Sequence, residues 1–345
     1  MSYFVGLDLS LKETAVSVVD RQGNKIWYGK TLSDPESIIH SLRLWWQEIE
    51  LIGLEACPLS EWIFAGLRDQ GLNVCCIETR HAQRFLSSRP NKTDRNDADG
   101  IAQMMRLGHF KPVHVKSRTA QGIQTIIAAR AQIVNTMVKL ELTARGLIKK
   151  FGHKISRGGR VSFAERVRMA ISADADLYMA INPLLDSRET LRQQKLSYDK
   201  VLYAMSRKST VCRALMTVPG VGPVTSLAFV AIIDDPERFA NSRAVGAHLG
   251  LTPKTYQSGE IDHNGHISKC GDKMMRHLLF EAAGVLLARA KQSNPLRAWG
   301  IKIAKKCGNK KARTAVARKL SVIMHRIWKE HIKNPESPTA RFILT

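Results

Sequence analysis

Two carboxylates close short apolar runs of the kind that pair in the middle of a sheet. Asp8 follows Phe4-Val5-Gly6-Leu7, and Glu55 follows Leu51-Ile52-Gly53-Leu54. Two more acids, Asp94 and Asp97, stand three apart in Lys92-Thr93-Asp94-Arg95-Asn96-Asp97-Ala98, at the head of a segment whose apolar positions continue through Ile101, Met104 and Met105. Residues three apart on a helix share a face. A buried carboxylate is costly unless something compensates it. Acids at two strand ends and on one helix face therefore need a partner, and hard divalent cations suit oxygen ligands. The pattern points to Mg²⁺ or Mn²⁺ held by Asp8, Glu55, Asp94 and Asp97. The chemistry it suggests is metal-assisted phosphodiester cleavage, in which two ions roughly 4 Å apart hold the attacking and leaving oxygens.

Residues 3–9 and 14–19 read as strands, the second rich in β-branched side chains. Asp20-Arg21-Gln22-Gly23-Asn24 is a turn cluster, and Lys25-Ile26-Trp27-Tyr28 begins a third strand. Ser33-Asp34-Pro35-Glu36 opens a helix expected over 35–48. A strand at 51–55, a helix near 59–69, a strand at 73–77 and the helix of Asp94 follow. The order βββαβαβα is that of the RNase H-like α/β fold. There the first and fourth strands lie side by side, which would bring Asp8 and Glu55 together.

The expected organisation is a catalytic domain over 1–115, a helical linker over 116–208, a mainly helical domain over 209–332 and a tail over 333–345. In the linker, Ile123, Ile126, Arg130, Ile133, Met137, Leu140, Ala144 and Leu147 recur at three- and four-residue steps. After a Gly-rich break at 156–160, a second helix is expected from about Pro183, with Leu184, Leu191, Tyr198 and Met205 seven apart. Such stripes suit an antiparallel coiled-coil arm or an ordinary packed hairpin. In the third region, Pro219-Gly220-Val221-Gly222-Pro223 suits the turn of a helix-hairpin-helix. Its backbone N–H groups at Gly220 and Gly222 would hold a phosphate at the next helix N-terminus. The alternative is a plain Gly/Pro turn. A last helix near 309–330 carries Lys310, Lys311, Arg313, Arg318, Lys319 and Arg326.

Charge separates these regions. The net charge is +23, yet residues 1–114 hold 13 basic and 14 acidic side chains. The rest of the chain carries 40 basic against 16 acidic. A near-neutral first domain on a strongly basic body suits a catalytic module joined to a nucleic-acid-binding one. The six cysteines are scattered, with no Cys-x-x-Cys pair, as in a protein with reduced thiols, and the expected location is the cytoplasm. There is no signal-peptide pattern, and no apolar stretch reaches the roughly 18 residues a membrane span needs, so no membrane partner is expected.

A second chemical site centres on Gly250-Leu251-Thr252-Pro253-Lys254-Thr255-Tyr256-Gln257-Ser258-Gly259 and Gly265-His266-Ile267-Ser268-Lys269-Cys270-Gly271-Asp272. By itself Ser258 before a glycine reads as a turn residue. Lys254, Lys269 and Arg276 could neutralise a scissile phosphate. His263, His266 and Cys270 lack a fourth ligand nearby, so zinc is not expected.

Taken in order, Lys92-Thr93-Asp94…Asp97-Ala98, Pro219-Gly220-Val221-Gly222 and the two segments around Ser258 resemble the insertion-sequence transposases related to the Piv DNA invertase, the bridge-RNA-guided recombinases. The resemblance covers nearly the whole chain. It implies a RuvC-like domain with an Asp8-Glu55-Asp94-Asp97 tetrad, a coiled-coil linker, and a C-terminal transposase domain with Ser258 as nucleophile. It also implies donor and target DNA, a noncoding guide RNA, and a homo-oligomer, a dimer or tetramer, in which serine and acids act at one phosphate. Members often have a basic residue where Cys270 stands. Asp99 is expected to be a surface carboxylate. Two rival readings stay open: a RuvC-like nuclease or junction resolvase that needs the four acids but not Ser258, and a non-enzymatic nucleic-acid-binding protein.

Overall fold

A computed structural model describes residues 2–87, 91–156, 158, 161–259, 261–289 and 294–334. The chain divides into two compact units, Met1–Lys116 and Ser117–Thr345.

The first unit is a five-stranded sheet with helices on both faces. Its elements are β1 (Tyr3–Leu9), β2 (Glu13–Asp20), β3 (Lys25–Leu32), α1 (Pro35–Ser41), β4 (Ile49–Glu55), α2 (Ser60–Asp69), β5 (Val74–Ile77), α3 (Thr79–Leu86) and α4 (Asp94–Leu107). The strand order is β3-β2-β1-β4-β5. β1 runs antiparallel to β2 and parallel to β4, with Gly6 opposite Gly53 and Leu7 opposite Leu54. This is the RNase H-like order. One face buries Val5, Leu7, Val16, Val18, Ile52 and Leu54 beneath α1 and α2. The other buries Phe4 and Val19 against Ile101, Ala102, Met104 and Met105 of α4.

The helix expected over 35–48 stops at Ser41. Leu42 turns fully into the core, and Arg43–Glu48 continues as a 3₁₀ turn. α3 was not anticipated. Asp99 corrects a second expectation, because it is buried at 4% exposure and its carboxylate lies 3.3 Å from Lys25 Nζ. Five positions after Asp94, it falls on the helix face turned to the sheet, not on the outer one.

In the second unit, α5 (Arg118–Lys149) and α7 (Ala175–Lys208) form a long pair, with α6 (Phe163–Ala170) between them. The pair is antiparallel: Arg130 Nε meets Asp199 at 2.6 Å, and eleven residues further along α5, Glu141 meets Arg188 at 3.2 Å. α7 starts at Ala175, capped by Asp174, which accepts from Leu177 N at 2.9 Å. Pro183 lies inside the helix and does not open it. The buried positions of α7 are Leu177, Ile181, Leu185, Leu202 and Ser206, while Leu184, Leu191, Tyr198 and Met205 are half-buried. The expected seven-residue series therefore flanks the seam. α6, opened by a capping box of Ser162 and Glu165, escaped the sequence reading. Of the Gly-rich break, residues 157, 159 and 160 lie outside the described residues, as does the expected tail from 335 onward.

The remaining elements are α8 (Thr210–Leu215), α9 (Pro223–Ile233), α10 (Ser242–His248), a hairpin of β6 (Pro253–Ser258) and β7 (Ile261–Ile267), α11 (Lys273–Arg289), α12 (Pro295–Cys307) and α13 (Asn309–Lys333). α9 is apolar nearly all round, as a central helix must be, and Phe229, Ala231 and Ile233 are fully buried. α5, α7, α8 and α11 pack against it, and Leu279 and Ala283 of α11 and Val316 and Leu320 of α13 belong to the same core. No described helix is long and apolar enough to cross a membrane.

Candidate active site

The site in the first unit exists because two glycines let a helix lie directly on a sheet. A Cβ on Gly6 would sit 2.0 Å from the Ala98 carbonyl oxygen and 2.4 Å from Ala102 N. A Cβ on Gly53 would meet Met105 Cγ and Sδ at 2.6 Å. With neither Cβ present, α4 crosses β1 at backbone contact and lies on β4 through the side chains of Met105 and Ile101. Its first turn comes over the ends of those strands, where Asp8 and Glu55 follow the paired residues Leu7 and Leu54. α4 begins at Asp94 because Thr93 caps it, its hydroxyl accepting from Asn96 N at 3.2 Å. Asp94 and Asp97 thus fall in the first turn, where the helix dipole favours negative charge.

Electrostatics shows that the four acids share one neighbourhood. Burial pushes the Asp8 carboxyl up to about 6, and the charges of Asp97, Asp94 and Glu55 add to the rise, while Lys92 opposes it. Burial also raises Glu55, against a hydrogen bond from Thr79, with Asp97 adding to the rise. Asp94 goes the other way, held low by the Lys30 ammonium, whose Nζ donates to Oδ2 at 2.6 Å. Four coupled carboxylates are a donor set that fits a hard divalent cation, since such an ion relieves their repulsion. The arrangement is open, however. Among the described residues, no three His, Cys, Asp or Glu side chains converge closely enough to share one ion.

Burial of the Asp8 charge, with the repulsion added to it, has a measurable cost. Asp8 binds its proton more tightly in the folded chain (about 6) than at the ordinary carboxylate value of 3.8. Its contribution to stability is thus complete below about pH 4 and is lost as pH rises through 6. In the presence of a chelator, Asp8→Asn should be more stable than the wild type at pH 7.5 by about 1–2 kcal/mol, allowing for solvent screening. The two proteins should converge at pH 4. Equal melting temperatures at both pH values would remove Asp8 from a repelling cluster.

Ser258 lies in the second unit, exposed at the last position of β6. The motifs around it build the hairpin's base. Ser268 N donates to Thr252 O at 2.8 Å and Lys269 N to Gly250 O at 3.1 Å. A Cβ on Gly250 would strike the Cys270 carbonyl oxygen at 2.0 Å. Arg276 ties this base together, its Nη1 donating to the carbonyls of Leu249, Cys270 and Gly271 at 2.9–3.2 Å. That gives Arg276 a structural task in place of an open charge. Lys254 is exposed on β6. Gly220, at φ +92°, is pressed against the Ala282 carbonyl of α11, where a Cβ would come within 2.4 Å. Gly222 has open space around it and precedes Pro223, the first residue of α9.

A groove of about 1570 Å³ runs beside the hairpin, between α10, β7, α12 and α13. Nine lysine and arginine side chains line it against one acid, Glu330. Lys269 reaches it, as do five of the six basic residues singled out on the last helix; the sixth, Arg313, sits 5.4 Å over the Phe280 ring. Sequence reasoning missed Arg243 and Trp299. Trp299 lines the groove with Lys319 Nζ 4.6 Å from its ring centroid.

Comparison with known proteins adds two matched regions. Residues 212–298 match the Transposase IS116/IS110/IS902 family, and residues 5–152 match a second transposase family, of the DEDD IS110 type. The transposase for insertion sequence element IS1111A of Coxiella burnetii is 26% identical over 93% of this chain and 88% of its own length. The transposase for element IS1328 of Yersinia enterocolitica is 24% identical over 72% of this chain and 75% of its own. Thermus thermophilus RuvC in complex with a Holliday junction substrate aligns with 33% of this chain and 100% of its own, at 14% identity and a TM-score of 0.26. That likeness is too slight to carry weight, and the fold assignment rests on the strand order.

Proposed function

We propose that this chain, an insertion-sequence transposase of the IS110/IS116 family, cuts and rejoins DNA with a divalent-metal acid tetrad and a serine nucleophile. The observation that carries the tetrad is the gathering of Asp8 and Glu55 at adjacent strand ends beneath the first turn of α4, where burial, with the charges of Asp97, Asp94 and Glu55 adding to it, lifts Asp8 to about 6. Asp8, Glu55, Asp94 and Asp97 would hold Mg²⁺ or Mn²⁺, which would supply charge stabilisation at the phosphate and the leaving oxygen. Ser258 Oγ attacks phosphorus and loses its proton. The bond to the 3′ oxygen breaks, that oxygen takes up a proton, and the 5′ phosphate stays esterified to the serine. Support for Ser258 is its exposed place on a braced hairpin together with the family likeness. The guide RNA and the oligomer that brings serine and acids to one phosphate rest on the likeness alone.

A denaturing gel tests the reading. Labelled element-end DNA with Mg²⁺ should yield a protein–DNA adduct. Cleavage with no adduct favours a nuclease that does without Ser258, and binding with no cleavage favours a non-enzymatic role.

The basic groove is the surface we assign to the nucleic-acid backbone, because nine cations against one anion attract phosphates. Replacing both Arg318 and Lys319 by Ala should weaken DNA binding. It should also flatten the slope of log affinity against log salt by about 2, the release of two counterions. An unchanged slope would place the DNA elsewhere.

A further inference from the structure

Besides Lys92, whose charge bears on Asp8 and Glu55, the acid cluster has a cation bonded to Asp94, on a strand that sequence reasoning left out of the site. Cross-strand partners share a face of the sheet. Lys30 of β3 pairs with Ala15 of β2, and Ala15 pairs with Asp8 of β1. Glu55 follows next across the sheet. Lys30, Ala15, Asp8 and Glu55 thus form one row at the end of the sheet, on the face that α4 covers, with the methyl of Ala15 between the lysine and Asp8. β3 grips α4 at three places. Lys25 Nζ lies 3.3 Å from Asp99 Oδ2, the Arg95 guanidinium lies 5.2 Å from the Tyr28 ring centroid, and Lys30 Nζ donates to Asp94 Oδ2 at 2.6 Å.

We propose that Lys30 is the built-in counter-ion of the acid cluster: its ammonium holds Asp94 in place and competes with a divalent cation for that carboxylate. The inference rests on the reading that Asp94 is a metal ligand. A divalent ion on Asp94 and an ammonium bonded to the same group repel one another. One of them must yield, and the lysine can. Its side chain is 44% exposed and Asp94 is 62% exposed, so the pair is solvated and readily opened. A lysine also carries its charge on a flexible stem of four carbons, whereas an arginine would hold the carboxylate through a rigid fork. Lys30 thereby acts through Asp94 as a positioning residue. It offsets the charge of Asp94 until an ion arrives, and it sets how much ion is needed.

The test is a Mn²⁺ titration of the full-length protein, followed by the electron paramagnetic resonance signal of free Mn²⁺. Lys30→Gln should bind Mn²⁺ more tightly, by on the order of fivefold. Lys30→Arg, which keeps the charge, should bind no more tightly than the wild type. The gain should vanish when Lys30→Gln is combined with Asp94→Asn, since the two residues would act as one unit. A Lys30→Gln protein with unchanged or weaker affinity, or a Lys30→Arg protein that gains as the Gln variant does, overturns the proposal and leaves the tetrad reading intact. An Asp94→Asn protein that binds Mn²⁺ as the wild type does overturns both.

Discussion

Asp97→Asn should slow DNA cleavage by about 10³-fold, equivalent to about 4 kcal/mol of transition-state stabilisation, and leave DNA binding nearly unchanged. The carboxylate sits in the first turn of α4 and adds to the charge load on both Asp8 and Glu55. On the proposed reading, the substitution removes one of the four metal-holding carboxylates. The side-chain amide still fills the space, and the helix cap at Thr93 is untouched, so folding is spared. Binding is spared because the net positive charge lies beyond residue 114. Ser258→Ala makes the contrast. It should abolish the covalent adduct while Mn²⁺ affinity stays at the wild-type value. Rapid-quench cleavage assays and a filter-binding isotherm on the same preparations separate the two effects. Wild-type cleavage by Asp97→Asn would remove that residue from the site, and an adduct formed by Ser258→Ala would place the nucleophile elsewhere.

Gly6→Ala should be the most damaging added methyl among the described glycines of the first unit. Its Cβ would come 2.0 Å from one backbone oxygen of α4 and 2.4 Å from a backbone nitrogen, and backbone cannot step aside as a side chain can. The helix would have to lift off β1, at a cost of about 4 kcal/mol or more, enough to unfold a domain of ordinary stability. Gly53→Ala should cost less, about 1–2 kcal/mol, because the clash is with the flexible end of Met105. Four of the six tryptophans, Trp27, Trp45, Trp46 and Trp62, lie in the first unit, so most of the intrinsic fluorescence reports its unfolding. Far-ultraviolet circular dichroism should retain the helical signal of the second unit. A Gly6→Ala protein with native fluorescence and melting temperature would show that α4 does not rest on β1.

The parts of this site that sequence reasoning reached have local signals. β-branched and apolar runs mark β1, β2 and β4, and Thr93 before Asp94 marks a helix start. Strand-end acids and first-turn acids could therefore be placed with no three-dimensional information. The parts that it missed depend on partners distant in the chain. Lys30 is 64 residues from Asp94, and a lysine on a half-exposed edge strand looks like any solvated side chain. Asp99 looked like a surface acid because nothing nearby in sequence announces Lys25. Pro183 was taken for a helix start, since proline favours first turns. The competing signal was the Asp174 cap, nine residues earlier, which wins because α7 keeps its buried stripe at Leu177 and Ile181. Ser258 had no local signal, and its standing came from the likeness to a family; the hairpin accounts for its exposure and not for its chemistry.

The long pair of α5 and α7 is buried only near its two ends, and between them it is half-buried and bridged by ion pairs. Ile123, Ile127 and Leu202 belong to the main core of the second unit, while Ala144, Ile148, Leu177, Ile181 and Leu185 form a separate cluster. No described residue of α5 between Ile127 and Ala144 is buried, nor any of α7 between Leu185 and Leu202. Ion pairs of Arg130 and Lys195 with Asp199 and of Arg188 with Glu141 lie there, beside apolar side chains such as Ile133, Met137, Leu140 and Leu191 that are only half-buried. Ion pairs of this kind add little to stability and weaken in salt. The middle of the pair can therefore open while both ends stay shut, and its amide hydrogens should exchange with solvent sooner than those on either side.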